Sequence, residues 1–213
     1  MIRIVVADDH AIVRAGIRSL LLNAGDLMLV AEVADGRAAV DAVVRYRPDV
    51  LLLDLTMPEL NGLEVISRAI AASPRTGVLV LSMHAAPDFV RPALRAGARG
   101  YVVKGSGLDD LVQAIRTVAG GGRFLDSNAA AVAEADQMDP RRPADDLDRL
   151  TLREREILQL VAEGHTNKAI GERLGLSAKT VDVHRTNVMK KLDLHSAQAL
   201  TRFALRRHLI DDE

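Results

Sequence analysis

The sequence predicts an α/β domain built on an open, doubly wound parallel sheet, followed by a smaller all-α domain. Three observations predict it. Short apolar runs alternate with helical patterns from residue 1 to about 119, the alternation stops at Gly120-Gly121-Gly122, and only helical patterns remain after Leu150.

Strands are predicted over 2–7, 28–32, 50–53, 78–81 and 100–103, and helices over 10–22, 37–46, 63–72, 89–96 and 108–119. Each helical stretch has apolar residues at three- and four-residue spacing, enough for one buried face. Strands as apolar as 50–53 read as buried on both faces, as parallel strands covered by helices are. Pro92 fits only in the first turn of its helix, which places that helix start near Asp88. These five βα repeats make a first domain over 1–122. Residues 123–149 read as a linker with a short helix around 129–135, because 126–149 hold two prolines, seven acidic residues and little periodicity. The second domain, 150–213, carries helices over 152–163, 167–174, 178–192 and 197–207, joined by loops at Gly164, Gly175 and 193–195.

Composition limits the chemistry. The 213 residues include no cysteine, which excludes a disulfide framework, a thiolate zinc site, an iron–sulfur centre and a cysteine nucleophile, and suits a reducing cytoplasm. The apolar run that ends at Ala7 is too short for a signal peptide, and no stretch reaches the roughly 18 apolar residues of a membrane span. A net charge of −1 argues against a strongly basic nucleic-acid binder only if charge is evenly spread. It is not. Residues 168–207 hold nine basic side chains against three acidic ones, so the rest of the chain is acidic.

Ligands of an open parallel sheet bind beyond the carboxyl ends of its strands, so the residues that follow each strand carry the chemistry. These are Asp8 and Asp9, then Asp54, Ser82 and Lys104. Three carboxylates on one rim repel one another unless a cation sits among them, and such hard oxygen ligands favour magnesium. One aspartate can then attack phosphorus to form an acyl phosphate, while Lys104 and the Ser82 hydroxyl receive the phosphoryl oxygens.

With Asp8-Asp9, Asp54-Leu55-Thr56-Met57-Pro58, Asn61-Gly62, Leu81-Ser82 and Tyr101-Val102-Val103-Lys104 in place, residues 2 to about 120 closely resemble a receiver domain of bacterial two-component response regulators. The resemblance implies a flavodoxin-like (βα)5 fold. It implies Asp54 as phosphoacceptor, Asp8, Asp9, Asp54 and the Thr56 carbonyl as magnesium ligands, and Ser82, Tyr101 and Lys104 as the coupling to the far face. The repacked surface around the fourth and fifth strands and helix 89–96 resembles the family's usual dimerisation face. One departure is Gly105, where many receivers have proline.

The basic segment has a recognisable surface. In 178–192, Val181, Val188 and Leu192 fall on an inward stripe, whereas Lys179, Asp182, Val183, Thr186 and Lys190 recur on the opposite face. Preceded by 167–174 and a turn at Gly175, this is helix-turn-helix geometry, with Ser177 placed as N-cap. The run from Leu150-Thr151-Leu152 through Thr166-Asn167-Lys168 and Lys179-Thr180-Val181 to Lys190-Lys191-Leu192 looks like the LuxR-type DNA-binding domain of the NarL/FixJ response regulators. The family implies that 178–192 enters the major groove. Asp182, Val183 and Thr186 then face base edges, Lys168, Lys179, His184, Arg185 and Lys190 approach phosphates, and Thr180 joins the DNA-contacting set. Asp182 stands where many relatives carry lysine; it repels phosphate and can accept from the N4 amino group of cytosine.

The resulting expectation is a cytoplasmic transcription regulator that takes a phosphoryl group from a sensor histidine kinase, dimerises and binds double-stranded DNA, with no membrane partner. A magnesium-dependent phosphohydrolase also needs an aspartate at a strand end, but enzymes of the haloacid dehalogenase type carry a second aspartate where this chain has Thr56. Turnover is therefore limited to slow self-dephosphorylation. A receiver that dimerises without phosphorylation is the third reading, against which the full acidic pocket argues. Helix 197–207 is either a core cover or a dimer contact, and His84 either a modulator of dephosphorylation or a plain loop residue.

Overall fold

The computed structural model describes residues 1–105, 107–138, 146–207 and 209–210. The chain divides into two units, Met1–Pro140 and Arg141–Glu213.

In the first unit β1 (Ile2–Ala7), β2 (Leu27–Val33), β3 (Val50–Leu53), β4 (Gly77–Ser82), β5 (Gly100–Val103) and β6 (Phe124–Leu125) form one parallel sheet in the order β2-β1-β3-β4-β5-β6. Helices α1 (Ala11–Asn23), α2 (Gly36–Tyr46), α3 (Gly62–Ala72), α4 (Pro87–Arg95), α5 (Leu108–Ala119) and α6 (Ser127–Met138) cover it. Side chains alternate along each strand, so both faces must be apolar if both are covered. Ile4, Val6, Leu52 and Leu79 meet Ile17 and Leu21 of α1 and Ile115 of α5 on one face. Val5, Leu51, Leu53 and Val80 meet Val43 of α2, Ile66 of α3 and Val90 of α4 on the other. The predicted doubly wound parallel sheet is present.

Two expectations are corrected. The linker reading of 123–149 fails over its first half, where β6 and α6 extend the sheet unit. Asp126 explains how. One carboxylate oxygen accepts the Ala129 N–H at 2.8 Å, capping α6, and the other accepts the Val103 N–H at 2.7 Å at the end of β5. Ala129 is fully buried in the core beside α4. A two-residue strand and a helix anchored by alanine leave almost no apolar period to read. The remainder of that span up to residue 145 lies outside the described residues. The second correction concerns Pro92. Pro87, not Pro92, occupies the first turn of α4, and Pro92 falls in the second, where the helix loses a single internal bond before ending at Arg95.

In the second unit a 3-10 turn (Asp146–Arg149) leads into α7 (Leu152–Ala162), α8 (Asn167–Leu174), α9 (Ala178–Lys191) and α10 (Ala197–Arg206). Leu147 of the turn already belongs to this core, with Ile157, Leu158, Ile170, Val181, Val188 and Phe203. Every helix start is capped. Thr151 and Glu154 form a reciprocal capping box on α7, and Thr166, Ser177 and Ser196 accept from the third helical N–H of α8, α9 and α10. Lys191, 2.6 Å from Glu154, ties the end of α9 to the start of α7. Glu154 is held below the usual carboxylate range: burial pushes it up, but the Lys191 ammonium and the Thr151 donors outweigh burial.

Candidate functional site

Adjacent strands deliver the acidic rim. β1 pairs with β3 so that Ala7 lies opposite Leu53, and Asp8 and Asp54 therefore leave the sheet side by side. The loop after Asp54 closes tightly on α3. Gly62 donates to Leu55 at 2.8 Å, and a Cβ there would stand 2.5 Å from the Leu55 Cα, so only glycine permits this approach. Asn61 caps α3 by accepting the Glu64 N–H at 3.1 Å.

Asp8 and Asp54 are 1% and 4% exposed, and the Lys104 ammonium reaches both, at 2.8 Å and 2.5 Å. Burial pushes the Asp54 carboxyl above its ordinary range, against the pull of Lys104. Burial also disfavours the Lys104 ammonium, but its two carboxylate partners outweigh that and raise it. Two buried carboxylates share one ammonium, which leaves an excess of negative charge. Asp8 Oδ2 and Asp9 Oδ1 are buried without an aligned hydrogen-bond donor, although Lys104 and His10 stand beside them. Ligand atoms of Asp8, Asp9, His10 and Asp54 lie within 4.8 Å of one another. Hard oxygen donors whose charge exceeds that of the ammonium they share fit a divalent cation. His10 joins this cluster without having been singled out in the sequence; its position directly after Asp9 is the signal.

The remaining predicted residues fall around this pocket. The Thr56 N–H donates to Asp54 Oδ1 at 3.3 Å. Ser82 ends β4, fully buried, and its Oγ accepts the His84 N–H at 3.2 Å. Tyr101 is also fully buried and donates its hydroxyl to the His84 carbonyl at 2.6 Å. Burial pushes the Tyr101 hydroxyl far up, so it stays protonated. The His84 ring in turn stacks on Phe89 of α4, with centroids 4.0 Å apart and planes at 10°. Gly105 has φ +102°, a conformation closed to proline.

On α9, Lys179, Thr180, Asp182, Val183, Thr186 and Lys190 are exposed, His184 and Arg185 half-buried, and Val181 and Val188 fully buried. Lys168 is exposed on α8. Val183 presents an apolar side chain that is 54% exposed. Thr180 is partly spoken for, its hydroxyl 2.7 Å from Ser177 Oγ. Asp182 accepts from the Asn167 amide at 3.1 Å, a partner that sequence spacing does not reveal. Among the described residues no helix is long and apolar enough to cross a membrane.

Comparison with known proteins covers both units. Residues 4–116 match the family described as "Response regulator receiver domain", and 148–204 match "Bacterial regulatory proteins, luxR family". The oxygen regulatory protein NreC of Staphylococcus aureus is 39% identical over 216 residues, covering 98% of this chain and 99% of NreC. A solved RcsB–DNA complex, described as a two-component response regulator, is 27% identical with TM-score 0.58 over 95% of this chain and 96% of that one. RcsB of Salmonella enterica serovar Typhimurium, bound to the promoter rprA with the phosphomimetic BeF3-, is 26% identical with TM-score 0.60 over 95% and 98%.

Proposed function

The chain belongs to the two-component response regulators of the NarL/FixJ type, and on that premise we propose that it is a transcription regulator switched by phosphorylation of Asp54. The observation that carries this reading is the Asp54–Lys104–Asp8 cluster at the strand ends of a chain that also presents an exposed recognition-type helix.

In this reading an ionised Asp54 oxygen attacks the phosphorus of a phosphohistidine on a sensor kinase. The O–P bond forms as the N–P bond breaks, and the imidazole leaves with its electron pair. Lys104 moves from Asp54 toward a phosphoryl oxygen and Ser82 donates to another. Magnesium, held by Asp8, Asp9, Asp54 and the Thr56 carbonyl, supplies charge neutralisation when bound. Ser82 already accepts the His84 amide, so drawing its hydroxyl toward the phosphoryl group pulls on His84. That displacement reaches the Tyr101 hydroxyl and the stacked Phe89 ring in the first turn of α4. The response is dimerisation of the chain in the cytoplasm and binding of double-stranded DNA through α9, with Lys168, Lys179, His184, Arg185 and Lys190 near phosphates and Thr180, Asp182, Val183 and Thr186 toward the bases. Thr56 offers no second carboxylate, so turnover is limited to slow self-dephosphorylation.

The test is acetyl phosphate with magnesium, followed by intact mass. A labile phosphoryl adduct forms on the wild type and not on Asp54→Asn; an adduct on the variant sinks the assignment. Genome-wide DNA occupancy compared between the two proteins then reads the target sites and their phosphate dependence.

A further inference from the structure

Asn167 is the first residue of α8 and is not itself on the recognition-type helix, yet its side chain holds two residues that are. Its amide nitrogen donates to Asp182 Oδ1 at 3.1 Å, and its amide oxygen accepts from Arg185 Nη1 at 3.4 Å. The orientation of that amide is dictated by its neighbours: a carboxylate only accepts and a guanidinium only donates, so one rotamer satisfies both. Asp182 and Arg185 stand three residues apart on α9, the spacing at which an acid and a guanidinium on one helix pair directly. The Asn167 amide stands between them and bonds to each instead.

We infer that Asn167 is a specificity-determining residue of the DNA-reading surface, which rests on the role proposed above for α9. An ionised carboxylate has about four acceptor sites, and the single bond from Asn167 fixes its direction while leaving capacity to accept from a base. A carboxylate so fixed selects the N4 amino group of cytosine, the donor that an acidic side chain recognises in the major groove. Without Asn167 the carboxylate swings onto Arg185. The chain then loses a base contact and at the same time draws a cation away from the DNA backbone. Asn167 thus acts through Asp182 and Arg185, as a positioning residue, and its signature is a change in which base is preferred at one position.

The experiment is selection of binding sites from a randomised DNA library by the full chain, in the presence of beryllofluoride and magnesium. Wild type, Asn167→Ala, Asp182→Asn and the double variant are compared, with melting temperatures measured alongside. The wild type prefers cytosine at one base pair of each half-site. Asn167→Ala reduces that preference about five- to tenfold, the range a single base contact supports. Asp182→Asn loses it at the same base pair, and the double variant loses no more than Asp182→Asn alone. A wild type that selects no site sinks the DNA-reading role itself. A wild type with a preferred site whose profile Asn167→Ala leaves unchanged, or weakens equally at every position, overturns the role of Asn167 alone. So does a loss in Asp182→Asn that falls at a different base pair, an outcome that does not depend on how Asn167→Ala folds.

Discussion

Lys104 Nζ stands 2.5 Å from Asp54 Oδ2, and it is the cation that both buried carboxylates of the acidic rim share. Removing one partner of a buried ion pair costs about 3 to 5 kcal/mol, because the surviving charge stays desolvated. Lys104→Ala is therefore expected to lower the melting temperature markedly, and magnesium to restore more of it in the variant than in the wild type. Differential scanning calorimetry with and without magnesium reads both effects. A variant as stable as the wild type in metal-free buffer would show that the pair does not hold the pocket together.

Asp54 itself has the opposite sign. Its folded carboxyl titrates above the ordinary value of 3.8 because of burial, so its effect on stability is favourable below that value and is lost as pH rises through the raised one. Near neutrality the wild type carries the excess buried charge and Asp54→Asn does not. The variant should melt higher at pH 7 without magnesium, and the gap should close as pH falls through the titration of Asp54. A gap that widens toward acid would reverse the assignment.

Glu154 provides the contrary case in the second unit. It is held below its ordinary 4.5, since Lys191 and Thr151 outweigh burial, so its contribution is present above that value and is lost as pH falls through the lowered one. Lys191→Met should cost about 1 kcal/mol, a figure reduced for the partial exposure of the lysine, and should flatten the acid limb of a stability–pH curve. Chemical denaturation at several pH values measures this.

Tyr101→Phe deletes the donor to the His84 carbonyl, made at 2.6 Å in a fully buried position. The loss is about 1 to 2 kcal/mol. Hydrogen exchange should quicken across 83–86 while acetyl phosphate still labels Asp54. Unchanged exchange there would mean that the hydroxyl does not anchor the loop.

The acidic rim is legible in the sequence because strand ends converge by topology. Once the apolar runs are located, Asp8, Asp54, Ser82 and Lys104 fall on one edge whatever their side chains do. The inward stripe of Val181 and Val188 is legible for a similar reason, a helical period imposed by burial. What the sequence conceals depends on single side chains acting across the chain. Asn167 reaches Asp182 over fifteen positions and Asp126 reaches Val103 over twenty-three, and neither contact leaves a period. The burial of Tyr101 is equally hidden, because its hydroxyl finds a main-chain carbonyl, which every residue possesses.

The short strand β6 has one more consequence. Among the described residues it is the only partner of β5 on its outer side, and together with the Asp126 carboxylate it satisfies main-chain groups along that strand. A receiver fragment ended at residue 122, where the apolar pattern stops, would turn the apolar strand Gly100–Val103 into a bare sheet edge, the kind of template on which chains add to one another. Such a fragment should aggregate or form edge-to-edge dimers that have nothing to do with signalling, whereas one carried through Met138 keeps β5 paired with β6.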